Sequence, residues 1–179
     1  VSPDTAIDYF RYFLMREVPF GNDGDYSRAH FVNRINSELA NKIGNLAKRS
    51  LDMINKNCGG IIPENKFEDG QNKLNIWHSY KSYMAGMSFS PSSAINEIIE
   101  FTVSANQYFD KSEPWNLKKQ NKIDEMNAVL YNTAQMVRRI AILLLPFIPN
   151  SAKKILDLLL IDEEKRNFKS LEESLKSGH

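Results

Sequence analysis

Asn45, Arg49 and Trp115 combine hydrogen-bonding edges with an aromatic face. Asn45 and Arg49 stand four apart, so on a helix they share one side, and Asn41 and Lys48 extend that side into a polar, cationic strip. An unpaired nucleobase is read by hydrogen bonds to its edge and by stacking on an aromatic ring, so an amide, a guanidinium and an indole are the chemical parts such reading needs. A plainer arrangement uses the same residues: Trp115 plugs the end of a helical bundle while Asn45 and Arg49 are merely solvated. Spacing alone favours the plug, because Trp is usually largely buried.

Other chemistries find no support in the chain. It has no Gly-rich phosphate loop, no nucleophile elbow, no HExxH and no paired catalytic histidine. Asp23 and Asp25 sit in a Gly-containing turn without the remaining ligands of a calcium loop, and His30, His78 and His179 are too scattered for a metal site. A single cysteine, Cys58, rules out an internal disulfide and a cysteine-based zinc site, and reads as a small residue at a helix end. With 23 Lys plus Arg against 22 Asp plus Glu, the formal net charge is +1, so contact with a polyanion must come from local patches. Two stretches qualify. Lys42, Lys48, Arg49 and Lys56 face only Asp52, and Lys111, Lys118, Lys119 and Lys122 face only Glu113. Lys48, Lys118 and Lys119 are the candidate phosphate contacts, although charge alone equally describes solvated helix faces. The apolar run Ile140–Ile148 is about half the ~20 residues that cross a bilayer and is broken by Pro146, so no membrane partner is expected. No signal peptide is visible, which points to an intracellular, cytoplasmic setting. The chain starts at Val1 directly in helix-forming sequence and reads as a piece of something larger.

The elements that must position these residues are helices. Arg28 to Asn57 carries apolar residues at Phe31, Ile35, Leu39, Ile43, Leu46 and Ile54, the stripe of one long amphipathic rod of about 45 Å. Ser27 is placed to cap it and Gly59-Gly60 to end it, and the other helices are expected to pack around it. Ahead of it, Ser2-Pro3 starts a helix that turns Ile7, Phe10, Phe13 and Leu14 inward, and Val18 to Asp25 supplies turn residues throughout. After a polar connector at 61–70, Gln71 to Met87 suggests a third helix with Trp77 in the core. Ser90-Pro91 starts a fourth, buried through Ile95, Ile98, Thr102, Ala105 and Phe109 and ended by Pro114, with Trp115 on the following connector. A fifth runs from about Asn121 to Pro146, and Asn150 or Ser151 can cap a last one carrying Ile155, Leu156 and Leu159. The tail beyond Asp162 is charged and weakly patterned. The reading is an all-α antiparallel bundle with a helical attachment at its N-terminus. By physics alone it is a non-catalytic module for RNA or for protein.

Several runs resemble methionyl-tRNA synthetase: Arg11 to Asp25 (RYFLMREVPFGNDGD), Asn33 to Asn41 (NRINSELAN), Gly44-Asn45-Leu46, Ala105 to Tyr108, and Pro114-Trp115. The similarity extends from Asp4 to about Pro149 and is of the bacterial or organellar type. It implies a stem-contact segment at 1–27 and an anticodon-binding bundle at 28–160, followed by the charged tail at 161–179. The family's N-L-x-x-R motif falls on Asn45 and Arg49, and its Pro-Trp pair on Pro114 and Trp115. The resemblance implies that these read a CAU anticodon, with the indole stacked on a base. It also implies a tRNA partner rather than DNA, and ATP with Mg used by the intact class I ligase. No catalytic residue, cofactor or metal is expected in this stretch, because the HIGH-like and KMSKS-like motifs are absent. Two alternatives stand beside it. A leucyl, valyl, isoleucyl or cysteinyl synthetase shares the bundle but not this motif pair, and a helical protein-interaction module predicts a large exposed apolar patch.

Overall fold

The computed structural model describes residues 2–17, 26–65 and 90–178. The turn expected at Val18–Asp25 and the helix expected at Gln71–Met87, with Trp77, lie outside the described residues. Among those described, the regular structure is all helical: α1 (Pro3–Glu17), α2 (Arg28–Arg34), a π-helical segment (Ile35–Gly44), α3 (Asn45–Cys58), α4 (Pro91–Ser112), α5 (Pro114–Lys119), α6 (Ile123–Leu144) and α7 (Pro149–Leu158). Two 3₁₀ turns, Glu163–Lys165 and Phe168–Glu172, follow.

The rod is present from Arg28 to Cys58. Ser27 Oγ accepts the His30 N–H at its start, and Gly59 at φ 64° takes the left-handed position that ends it. Its middle third is wider than an α-helix: the Asn45 N–H reaches back five residues to the Ala40 carbonyl. Nothing interrupts the path, because Arg34, Ile35, Gly44 and Asn45 all keep right-handed helical backbone. One side of the rod is buried throughout, at Ile35, Leu39, Ile43, Leu46, Ala47, Ser50 and Ile54.

The bundle is nevertheless centred on α6 rather than on the rod. Helix α6 packs against α3, α4, α5, α7 and the second 3₁₀ turn, and nearly every residue from Ala128 to Leu144 is buried. A helix that is apolar on most sides belongs in the middle, whereas the rod's amphipathic stripe can serve only one neighbouring layer. Ile123 at the start of α6 is exposed, contrary to the expected stripe, and the first described core residue of that helix is Met126.

Helix α1 buries Phe13 as expected but turns the other three residues of its expected apolar face outward. Tyr12, Phe13 and Asp8 are buried, but Ile7, Phe10 and Leu14 are 57%, 49% and 45% exposed. Polar chemistry decides that orientation, because α1 is latched at both ends of the corner between α6 and α7. Arg11 donates from Nε and Nη2 to the Phe147 and Pro146 carbonyls, at 3.2 and 2.9 Å. Asp8, fully buried, accepts the Ser151 N–H at 2.6 Å and the Asn150 side-chain amide at 3.1 Å. A cation on the carbonyls of the turn ties α1 to the corner, and a carboxylate on a first-turn N–H of α7 suits that helix's dipole. Helix α7 is therefore capped from α1 and begins at Pro149, so Asn150 and Ser151 are first-turn residues rather than its caps.

A second latch ties α1 to the rod. Glu38, 4% exposed, accepts from Tyr12 Oη at 2.6 Å, from Arg16 at 3.2 Å and from Arg34 at 3.1 Å. Arg34 also forks onto Glu17, which meets His30 at 3.3 Å. Burial pushes the Glu38 carboxyl up, but the hydrogen bonds from Tyr12 and Arg16 and the charges of Arg16 and Arg34 outweigh it and hold the group below its ordinary range. Burial, with Glu38 beside it, drives the Tyr12 phenol far above its usual value, so it stays a donor.

The charged tail is bound rather than loose. Leu171 and Leu175 enter the core, and α6 grips the tail's backbone with polar side chains. Tyr131 donates to the Leu175 carbonyl, Gln135 bonds both Glu173 O and Leu175 N–H, and buried Arg138 donates to the Ser170 and Glu173 carbonyls. Burial lowers the Arg138 guanidinium to about 10.

Candidate functional site

Helix α4 closes at Ser112 and the chain reverses at Glu113, whose φ of 41° and ψ of 57° place a non-glycine residue in the left-handed region. That conformation costs a residue with a Cβ roughly 1–2 kcal/mol. Pro114, buried, then opens α5 at its first position, where a missing N–H is no loss. Trp115 thus stands on the first turn of a short helix, not on an irregular connector as its position after Pro114 suggested. Asn116 returns to Glu113 twice, through its N–H to the carbonyl and through its side chain to the carboxylate, both at 2.8 Å.

Trp115 is half-buried, so the full core plug is not what the structure shows. Its ring meets the buried Phe109 edge-on, with centroids 6.0 Å apart. Arg49 comes across from α3, its guanidinium carbon 5.0 Å from the Phe109 ring centre and 5.9 Å from that of Trp115. A guanidinium held against two aromatic faces is a cation–π arrangement that keeps the planar group aligned while its side chain remains 34% exposed. Asp110, on α4, fixes its other end through an Nη2–Oδ1 ion pair at 2.7 Å. The structure therefore brings Arg49, Pro114 and Trp115 together from α3 and α5. Asn45 is exposed one turn before Arg49 on the same helix.

The candidate phosphate contacts spread around this group. Lys48 is exposed and paired with Asp52, Lys118 bonds the Asn57 side chain at the end of the rod, and Lys119 is exposed on the last turn of α5. Cys58 sits nearby with its thiol pushed up by burial, in keeping with a structural residue at a helix end. Sequence reasoning missed Phe109 and Asp110 as members of the site. Phe109 was visible only as the last residue of a core stripe, and nothing in local spacing announces that Asp110 meets a guanidinium on another helix.

Residues 64–179, well over half of the chain, match the family model described as the anticodon binding domain of methionyl tRNA ligase. The chain belongs to the methionyl-tRNA synthetase family. Residues 2–51 of this family member match a further model, tRNA synthetases class I (M), which takes in α1 and most of the rod. The methionine–tRNA ligase of Mesorhizobium japonicum is 44% identical over 91% of this chain and 32% of its own length. That of Rickettsia conorii is 42% identical over 93% of this chain and 34% of its own. The apo crystal structure of Mycobacterium tuberculosis methionyl-tRNA synthetase superposes with a TM-score of 0.90 at 36% identity, over 98% of this chain and 37% of that one. The chain thus spans about a third of the length of the methionyl-tRNA synthetases it matches.

Proposed function

We propose that this chain selects tRNA by its CAU anticodon, as the anticodon-binding part of a cytoplasmic methionine–tRNA ligase. In the intact enzyme, methionine would be activated with ATP and joined to the tRNA. One observation carries the reading: a guanidinium aligned on Phe109 and Trp115, with the exposed amide of Asn45 one turn away. In this reading Asn45 and Arg49 bond base edges, the exposed part of the Trp115 ring stacks on a base, and Pro114 with the Glu113 reversal holds the indole in place. Lys48, Lys118 and Lys119 draw in phosphates.

We assign ATP, Mg²⁺ and methionine activation to the part of the ligase that this chain does not span, since the chain covers about a third of the length of its relatives. The outward stripe Ile7, Phe10 and Leu14, extended by Tyr26 and Val32, is the kind of apolar surface an interaction module would carry. Because it lies within the stretch matched by the synthetase model at 2–51, we assign it to packing against that remaining part. Among the described residues, no helix is long and apolar enough to cross a membrane.

The test separates selection from activation. In the intact enzyme, Asn45→Ala and Arg49→Ala should each weaken aminoacylation of a CAU tRNA while leaving methionine-dependent ATP–pyrophosphate exchange nearly unchanged. Arg49 should matter more, because its loss removes charge as well as hydrogen bonds. Normal charging by both variants would refute the reading.

A further inference from the structure

A cleft of about 280 Å³ lies where α1, the π-helical segment and α7 meet. That volume is close to the lower end of the ~300–1,000 Å³ range of small-molecule sites. Its walls are apolar, supplied by buried Leu39, Ile43 and Ile148 and by half-buried Tyr9 and Ile155. Every residue that the rod contributes falls within Ile35–Gly44, the widened stretch of its backbone. Two of these, Ala40 and Gly44, stand four apart and carry a methyl group and no side chain, so the rod leaves a notch beside α7. Short π-helical stretches inside longer helices recur at functional sites.

The polar groups of the cleft are all potential donors. Ser151 and Lys154, three apart on α7, line it together. Ser151 Oγ is buried without a hydrogen-bond partner, alone in this among the buried side-chain nitrogens and oxygens of the described residues. Its own N–H is held by Asp8, so the residue is fixed in place. A buried hydroxyl left unpaired is costly, and native structures seldom carry one without something to bond it. Lys154 Nζ donates to Thr5 Oγ1 at 2.9 Å and meets no carboxylate among the described residues. The lining holds this one cation and no Asp or Glu. Asp8 lies outside the lining, and its two oxygens are taken by the Asn150 amide and the Ser151 N–H.

These features define the chemistry of a ligand. The Ser151 hydroxyl needs an acceptor, the Lys154 ammonium an anion, and the walls a body without further charge. A zwitterionic amino acid fails, since its ammonium would face a lining with no carboxylate. A phosphate-rich molecule fails as well, because a single ammonium is all the positive charge on offer. We propose that the cleft binds a small aliphatic monocarboxylate, its carboxylate on Lys154 and Ser151 and its hydrocarbon between the rod and α7. None of Arg49, Phe109 and Trp115 lines it, and the proposal does not rest on the anticodon reading. Seated there, the molecule touches α1, the rod and α7 at once and stabilises their packing by mass action.

The test uses the full-length protein and octanoate as probe, followed by calorimetric titration and thermal melting. Octanoate should bind one per chain and raise Tm as its concentration rises. Hexanoate should bind more weakly, by about fourfold for each methylene lost. Lys154→Gln should weaken octanoate about tenfold, and octanamide should bind wild type more weakly by a similar factor. Ser151→Ala should weaken octanoate severalfold without lowering the unliganded Tm, because the hydroxyl it removes has no partner. Ala40 lines the cleft yet is exposed, so Ala40→Trp should fill the notch and abolish binding in a folded protein. Octanamide binding as tightly as octanoate, or unchanged octanoate affinity in Lys154→Gln, would overturn the carboxylate assignment and the proposal with it. Binding retained in Ala40→Trp would place the molecule elsewhere and overturn the site, as would the absence of saturable binding at either chain length.

Discussion

Trp115→Ala distinguishes a stacking platform from a structural plug, and the contacts of the indole set the size of each effect. The ring is half-buried, so its removal forfeits only part of the ~3–5 kcal/mol typical of a buried aromatic. It packs against the core, and beyond that burial it makes one edge-on contact with Phe109, of the order of 0.5–1.5 kcal/mol, and one partly solvated cation–π contact with Arg49, about 0.5–1 kcal/mol. The fold should therefore lose about 2–3 kcal/mol, short of a fully buried aromatic. If the exposed part of the ring stacks on a base, about 1–3 kcal/mol of binding is lost as well, roughly ten- to a hundredfold in Kd. Urea denaturation measures the first quantity and titration with a CAU stem–loop the second. Fluorescence quenching can follow wild-type binding in a Trp77→Phe background, since the chain has only two tryptophans. A stability loss of 4 kcal/mol or more with Kd unchanged would refute the platform and restore the plug. Arg49→Met in the same background completes a cycle in which a coupling near zero would show that the 5.9 Å approach carries no energy.

Two further outcomes concern the polar networks. Glu38→Gln should destabilise the fold by about 2–4 kcal/mol at neutral pH, since it removes the buried charge that Tyr12 and the part-buried Arg16 and Arg34 share. Because the folded carboxyl is held below its ordinary range, its contribution is complete above the unfolded value near 4.3 and fades as pH falls through the folded one, so urea midpoints of wild type and variant should converge in acid. A constant gap from pH 7 to pH 3 would contradict this. Arg138→Met should cost about 3 kcal/mol through two charge-assisted bonds to tail carbonyls, and hydrogen exchange should show protection lost at the tail's Leu175 amide before α6 itself responds.

The local signals in the chain were the legible ones. Ser27 and Gly59 mark the ends of the rod, Pro114 ends α4, and the row from Ile95 to Phe109 is buried as its spacing implies. Arg49 and Trp115 were legible as chemical types, and their meeting is a property of how α3 and α5 cross. What stayed hidden was tertiary and polar. Periodicity reports that a face is apolar but not whether anything in the chain covers it, so Ile7, Phe10 and Leu14 read as core. The tail is held by its backbone carbonyls, which carry no side-chain signature. Its trace lay in the partner helix instead, where Tyr131, Gln135 and Arg138 set polar groups at helical spacing on a largely buried helix. The π-helix escaped notice because four-residue steps fit a loosely drawn α-helical stripe nearly as well.

The latch between α1 and the corner at Pro146–Ser151 bears on where this protein can be cut. Family matches divide it between 51 and 64, and the motif reading divides it at 27. A preparation begun at Arg28, to isolate a minimal bundle, would remove Arg11 from the carbonyls of Pro146 and Phe147 and Asp8 from the amide of Ser151. It would also strand Glu38 with only Arg34 of its three donors. Helix α1 is thus a wall of the bundle, its polar side built in through Arg11, Asp8 and Tyr12 and its apolar side left on the surface. A cut at Arg28 would fall inside that packed body, through its side-chain bonds, even though the sequence around it reads as a turn.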